Sequence, residues 1–337
     1  AIHYQPYKNP QMILNSLDRI LEAMARLRIL VVGDIMLDRY IFGDAQRISP
    51  EAPVPVVEVS RETATLGAAA NVALNLHSLG VTVDLWGVLG NDRYGQHVQW
   101  LLEQYGIPLL HVPTTTEART ILKTRVVVRN QQLCRLDVED PPVRYAPKLP
   151  ITIDWKRYDA VIISDYAKGV VTQALFDELV VQAHCSGKIV AVDPKPKNHI
   201  IYHDVDILKP NYSEALELLS LQNIPYKSLC DALFQKFHPK NLVVTLGKEG
   251  MLVALSNGTM QKVPSRAREV FDVSGAGDTS IAVLTAAYAA GESIETAAYL
   301  ANIAAGIVVG KMGTATVTAQ ELRNENKFES RADLVTP

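Results

Sequence analysis

The chain has 337 residues, 48% of them apolar and 20% charged, with a formal net charge of −3. It can bury a sizeable core unaided, and its nearly balanced charge gives no broad attraction to nucleic acid or to an anionic membrane, so the expected ligand is small. Cys134, Cys185 and Cys230 are odd in number and far apart, which fits neither a disulfide framework nor a zinc site and points to a reducing cytoplasm.

Residues 1–27 are expected to form a leading amphipathic helix, because Ile13, Leu14, Leu17, Ile20, Leu21 and Met24 recur at helical spacing. No basic segment followed by an apolar run argues for export. An alternation follows: strand 29–32, helix 68–79, strand 81–88, helix 94–105, strand 161–164, helix 173–185, strands 189–192 and 207–208, a helix from near Ser213, and strand 242–245. Short apolar strands separated by helices predict an α/β fold with a mainly parallel sheet covered on both faces. Two segments without helical period, 40–60 with Pro50, Pro53 and Pro55, and 119–138 with ILKTRVVVRN and QLCRLDV, read as a small β appendage. Such a sheet gains by closing over a ligand or pairing with a second copy, so a homodimer through this lid is expected. The apolar stretch 279–310 is broken by Gly291, Glu292 and Glu295 into two core helices, each too short to span a bilayer. The main body is set at 28–326 and a tail at 327–337.

The segment FDVSGAGDTSIAVLTAAYAA, from Phe271 to Ala290, places two glycines and Asp278 at the start of a long apolar helix. A helix N-terminus presents unpaired N–H groups and a positive dipole end, which suit a phosphate, and Asp278 would stand beside it. By the residues alone, an acidic first-turn residue that merely suits the dipole reads equally well. LGAAANVALNLHSLG, Leu66 to Gly80, is by itself an Ala-rich helix. Asp34 and Asp38 in VVGDIMLDRY lie outside the carboxyl end of a strand, where parallel sheets collect ligands, although Asp34 is also a suitable turn residue. Walker, protein-kinase, zinc-ligand and nucleophile-elbow patterns are missing, and the eight His residues stand without a motif.

DVSGAGD resembles the D-T-T-G-A-G-D signature of the ribokinase-like, or PfkB, carbohydrate kinases, and LGAAANVALNLHSLG resembles their first signature. The resemblance implies a three-layer α/β/α sandwich with a β-sheet lid, ATP as phosphoryl donor and Mg²⁺ as its ion. It makes Asp278 the general base, with the backbone of Gly275, Ala276 and Gly277 stabilising the transferred group. It sets Gly67, Asn71 and Asp38, with Asp34 ranked lower, against the sugar. Asn211 and Glu214 match the N-x-x-E element that holds Mg²⁺ through water. Thr245, Gly247 and Gly250 in VVTLGKEG, with Asn302, match the nucleotide side. Asp272 and Val273 fall where many members bind a monovalent cation such as K⁺, and the valine leaves that site open.

A narrower resemblance, to bacterial D-glycero-D-manno-heptose 7-phosphate kinases, rests on VVGDIMLDRYIFGDAQRISPEAPVPVVEV, LGAAANVALNLHSLG, ISDYAKGVV and VDPKPKN, and covers about Leu27 to about Thr316. It implies phosphorylation of the anomeric hydroxyl, giving heptose 1,7-bisphosphate for ADP-heptose and lipopolysaccharide core synthesis. Many such relatives carry a following nucleotidyltransferase domain, and the end of this chain soon after Leu322 suggests a kinase alone. A phosphorylated substrate needs cations at its far end; Arg47, Arg119, Lys123, Arg125 and Lys168 are the candidates, each an ordinary surface charge unless several converge. Rival readings are another sugar or nucleoside kinase of the family, or a sugar sensor that kept the pocket without the chemistry.

Overall fold

In the leading helix, Leu17, Ile20, Leu21 and Met24 share one face, and all four are buried. A computed structural model describes residues 16–108, 114–129, 131–265 and 270–332; Ile13, Leu14 and the tail beyond 332 lie outside them. Helix α1 (Leu17–Met24) leads into β1 (Arg28–Gly33), β2 (Ile35–Ile48) and β3 (Pro55–Ala68). Next come α2 (Ala69–Ser78), β4 (Thr82–Trp86), β5 (Leu89–Gly90), α3 (Arg93–Gln104), β6 (Thr114–Thr115), β7 (Ile121–Val128) and β8 (Gln131–Val138). The chain continues through β9 (Ala160–Ser164), α4 (Gln173–Cys185), β10 (Ile189–Asp193), β11 (Ile207–Leu208), α5 (Tyr212–Leu218), α6 (Tyr226–Phe237) and β12 (Asn241–Thr245). It closes with β13 (Met251–Leu255), β14 (Met260–Val263), α7 (Ala276–Ala289), α8 (Ile294–Val309) and α9 (Ala319–Ala332).

An eight-stranded sheet runs β14-β13-β12-β11-β10-β9-β1-β4. The pairs from β4 through β12 are parallel, and β13 and β14 add antiparallel edges. Strands such as β1 and β9 are apolar on both sides because both faces are covered: Ile29 and Val31 enter one core, Leu30 and Val32 the other. Helices α7 and α8 are the two expected core helices, and Gly291 and Glu292 fall in the turn between them.

A second sheet, ordered β3-β2-β7-β8, forms the appendage. It is longer than the 40–60 expectation, since β2 and β3 are 14 residues each and extend from Ile35 to Ala68. Their inner ends, Ile35–Leu37 and Leu66–Ala68, are buried against the body. The proline-rich loop 49–54 caps the far end. Two further differences stand out. Leu66, Gly67 and Ala68 end β3 instead of starting the Ala-rich helix, and α9 runs across the expected 326/327 boundary.

Candidate active site

Gly275 is the residue before α7 and sits at φ +81°, a left-handed conformation that glycine adopts without strain. A Cβ there would lie 3.0 Å from Asn71 Nδ2 and 3.1 Å from Thr314 Cγ2. Asp278 follows in the first turn and is 2% exposed. Asn71 Nδ2 donates to its Oδ2 at 2.8 Å and the Tyr166 hydroxyl to its Oδ1 at 2.7 Å. Burial pushes the carboxyl up to about 7; nearby Asp193 adds to the rise, while the two donors and Lys209 oppose it. A carboxylate poised near neutrality suits proton abstraction at physiological pH.

On one side of α7 lies a cavity of about 510 Å³. Thr245, Gly247, Gly250 and Asn302, all expected on the nucleotide side, line it together with Ala276 and Gly277. Asn302 is nearly buried, and its Nδ2 donates to the Pro264 carbonyl at 2.6 Å, so it also ties α8 to the end of β14. Ala305, Gly306 and Val309 supply a small apolar floor. Beneath Gly277 stand Lys209 and Asp193, paired at 3.1 Å, with Lys209 almost fully buried. Neither was singled out from sequence, although both sit at carboxyl ends of buried strands, where polar residues are a signal.

On the other side lies the lid. Strands β2 and β7 pair in parallel with Asp38 beside Lys123 and Tyr40 beside Arg125. Arg135 and Asp137 of β8 continue the same two rows. Arg125 Nη1 bonds Asp38 Oδ1 at 2.6 Å and its guanidinium lies over the Tyr40 ring at 5.2 Å. Thr314 donates to Asp38 Oδ2 at 3.2 Å. Lys123 is largely sheltered, and burial, together with Lys168, Arg125 and Arg135 nearby, lowers its pKa. Lys123, Arg125, Arg135 and Lys168 therefore share one region, and Arg135 is the member that sequence reading missed. Lys168 pairs with Glu139.

Several expected site residues serve other partners. Asp34 is fully buried and accepts N–H groups from Tyr166 (2.8 Å), Lys168 (3.1 Å) and Val170 (3.1 Å), so it organises a loop and leaves no carboxylate edge for sugar. Asn71 gives its amide to Asp278 and accepts from Asn75, because α2 packs beside α7. Gly67 has no room for a side chain because Asp38 Oδ2 would lie 2.5 Å from its Cβ; its smallness seats Asp38. Arg47 is exposed beyond the fold of the cleft, 3.8 Å from Glu58, and Arg119 is committed to Asp140 through Nε and Nη2. Neither joins the cation group.

Asn211 and Glu214 form a reciprocal capping box at α5, and Glu214 also accepts from Lys195 at 2.8 Å. Among the described residues no group of three or more His, Cys, Asp and Glu side chains is arranged to hold a metal ion. Asn211 and Glu214 supply oxygen donors of the kind Mg²⁺ takes, but both already serve the helix cap and Lys195, so they would reach the ion through water.

The fold superposes on a putative ribokinase from Agrobacterium tumefaciens with a TM-score of 0.73 at 22% identity, covering 92% of this chain and 99% of that one. A ribokinase from Arabidopsis thaliana complexed with ribose and ATP gives 0.70 at 19% identity, covering 90% and 99%. The fold is thus ribokinase-like. The pfkB family of carbohydrate kinases matches residues 26–321, and the chain belongs to it. Among its relatives, the Bifunctional protein HldE of Methylobacillus flagellatus is 43% identical over 313 residues, 90% of this chain and 64% of that protein. That of Sulfurimonas denitrificans is 40% identical over 303 residues, 88% and 63%. The chain thus spans slightly under two thirds of the length of these relatives. No helix among the described residues is long and apolar enough to cross a membrane.

Proposed function

We propose that the chain transfers the γ-phosphoryl group of ATP to the anomeric hydroxyl of D-glycero-D-manno-heptose 7-phosphate, giving the 1,7-bisphosphate and ADP for ADP-heptose synthesis. The observation that carries this reading is the pair of unlike walls around Asp278: a small-residue cavity on one side and a cation-rich lid face on the other. An acceptor that already carries phosphate suits Lys123, with Arg125, Arg135 and Lys168 nearby in ion pairs to Asp38, Asp137 and Glu139 for which the phosphate would compete. The likeness to the two Bifunctional protein HldE chains and the VVGDIMLDRY and ISDYAKGVV runs support the same choice.

In this reading Asp278 takes the proton as the sugar oxygen attacks in line. The first N–H groups of α7, held open by Gly275 and Gly277, stabilise charge on the equatorial phosphoryl oxygens. Lys209 adds positive charge beneath Gly277. Asp38, seated by Gly67 and Thr314, accepts from sugar hydroxyls while sharing Arg125. Glu214 and Asn211 would hold the Mg²⁺ of bound ATP through water, and that ion would neutralise phosphate charge; a monovalent cation near Asp272 and Val273 belongs to the same proposal. The outer lid face, with Ile41, Val57, Val59, Val126 and Cys134 around an apolar groove of about 490 Å³, suits burial against a second copy.

ADP release with ATP and Mg²⁺ tests the acceptor across heptose 7-phosphate, fructose, fructose 6-phosphate, ribose and adenosine. Turnover with heptose 7-phosphate alone is expected. Turnover with another acceptor replaces the sugar, and silence across the panel favours a sensor.

A further inference from the structure

Tyr166 belongs to none of the expected site residues, yet it is one of two side chains that touch the Asp278 carboxylate. Its hydroxyl donates to Oδ1 at 2.7 Å while Asn71 holds Oδ2. The loop that carries it is pinned at nearly every residue. Asp34 accepts the N–H groups of Tyr166, Lys168 and Val170. Asp165 accepts from the Ala167 N–H (2.7 Å), from Asn198 Nδ2 (2.7 Å) and from the Tyr202 hydroxyl (2.6 Å). Ala167 is held at φ +56°, a left-handed conformation that a non-glycine residue adopts only when its surroundings impose it. Two buried acidic residues and a strained alanine form a costly scaffold for a connection between β9 and α4. The cost is intelligible if the loop must deliver one atom to a fixed place.

We infer that Tyr166 is the positioning residue of this kinase: its hydroxyl fixes the orientation of the Asp278 carboxylate toward the acceptor. The inference rests on Asp278 being the base. With a donor on each oxygen, the carboxylate cannot rotate, and each oxygen keeps one lone-pair direction for the incoming hydroxyl. A hydrogen bond donated to a carboxylate also favours its ionised form, the form that can take a proton. Other charged groups facing Asp278 or Tyr166 are Asp193 at the end of β10, Lys209 after β11 and Asp38 on β2. Lys123 of β7 lies 5.4 Å above the Tyr166 ring. That last contact joins the lid to the base through one side chain.

Tyr166→Phe removes the hydroxyl and keeps the ring beneath Lys123. Carboxyl ¹³C NMR, with the Asp278 signal assigned by Asp278→Asn, reads the base without any acceptor present. The midpoint of Asp278 is expected to rise by about one pH unit in Tyr166→Phe, and to fall when a fluorinated tyrosine, a stronger donor, occupies position 166. With the acceptor that turns over, Tyr166→Phe should lower kcat about tenfold, leave KM for ATP within about twofold, and move the acid limb of kcat/KM upward with the NMR midpoint. A midpoint and kcat both unchanged overturn the inference. So does a loss of activity with an unmoved midpoint and a lowered Tm, which would assign Tyr166 to loop packing. If Tyr166→Phe does not fold, the fluorinated protein decides alone, and an unmoved midpoint there is a refutation. Wild-type turnover by Asp278→Asn would instead sink the assignment of the base, independently of Tyr166.

Discussion

The two walls of the cleft differ in chemistry, and under the proposed function they would hold their ligands by opposite physics. The wall between β12 and α8 is made of small residues, Gly247, Gly250, Ala305 and Gly306 among them, and selects by shape. The wall formed by β2, β7 and β8 crowds Asp38, Lys123, Arg125, Arg135 and Asp137 onto one face and selects by charge and hydrogen bonding. A flat purine with a triphosphate needs an apolar slot ending at a helix N-terminus, whereas a polyhydroxylated phosphate ester needs acceptors and cations. Asp278 stands where the walls meet. In the proposed reading, substrate identity is written in the lid and the body fixes the donor.

The largest effect is expected at the junction. Asp278→Asn should lower kcat by roughly 10²- to 10⁴-fold with ATP binding nearly intact. The same change should stabilise the fold at neutral pH. The native carboxyl titrates near 7, well above about 3.9 for an unfolded Asp. Below about pH 4 both states are protonated and nothing is lost; as pH rises toward 7 the unfolded chain ionises first, costing the native state about 4 kcal/mol. The Tm gain of Asp278→Asn should therefore grow between pH 4 and pH 8, and a gain equal at both ends would break this account.

Arg125→Met comes next, because Arg125 is largely buried and neutralises Asp38 at 2.6 Å. KM for a phosphorylated acceptor should rise about tenfold or more, with KM for ATP unchanged. Equal rises in both would show that the walls are not separate. Ala305→Leu is the mirror experiment: a larger side chain in the cavity floor should raise KM for ATP by about tenfold and spare the acceptor. The smallest effect belongs to Arg47→Ala, which removes an exposed ion pair at 3.8 Å and should leave both KM values within about twofold. A selective loss of acceptor affinity there would enlarge the acceptor wall to the lid tip.

The parts of the fold that depend on local pattern were legible in the residues. Continuous apolar runs at 29–32 and 161–164 meant strands covered on both faces, Gly291 and Glu292 split two core helices, and GAGD marked a helix start with an acidic residue beside it. The four nucleotide-side positions line one cavity: Thr245, Gly247 and Gly250 lie at or just after the end of β12, where loops follow strand ends, and Asn302 lies midway along α8. The partner of each polar side chain, by contrast, emerged only from the packing of distant segments. Asn71 and Tyr166 meet Asp278 across 207 and 112 positions of sequence, and no periodicity records such a meeting. Asp34 and Asp38 look alike in VVGDIMLDRY, yet one is enclosed by backbone N–H groups and the other lies on the lid face. Arg119 lies just before β7 and Arg125 within it, and one is held by Asp140 while the other pairs with Asp38. Hydrophobic burial acts on local sequence spacing, so it can be read from the chain; hydrogen bonds and ion pairs depend on strand register and helix packing between distant segments, which exist only once the chain has folded.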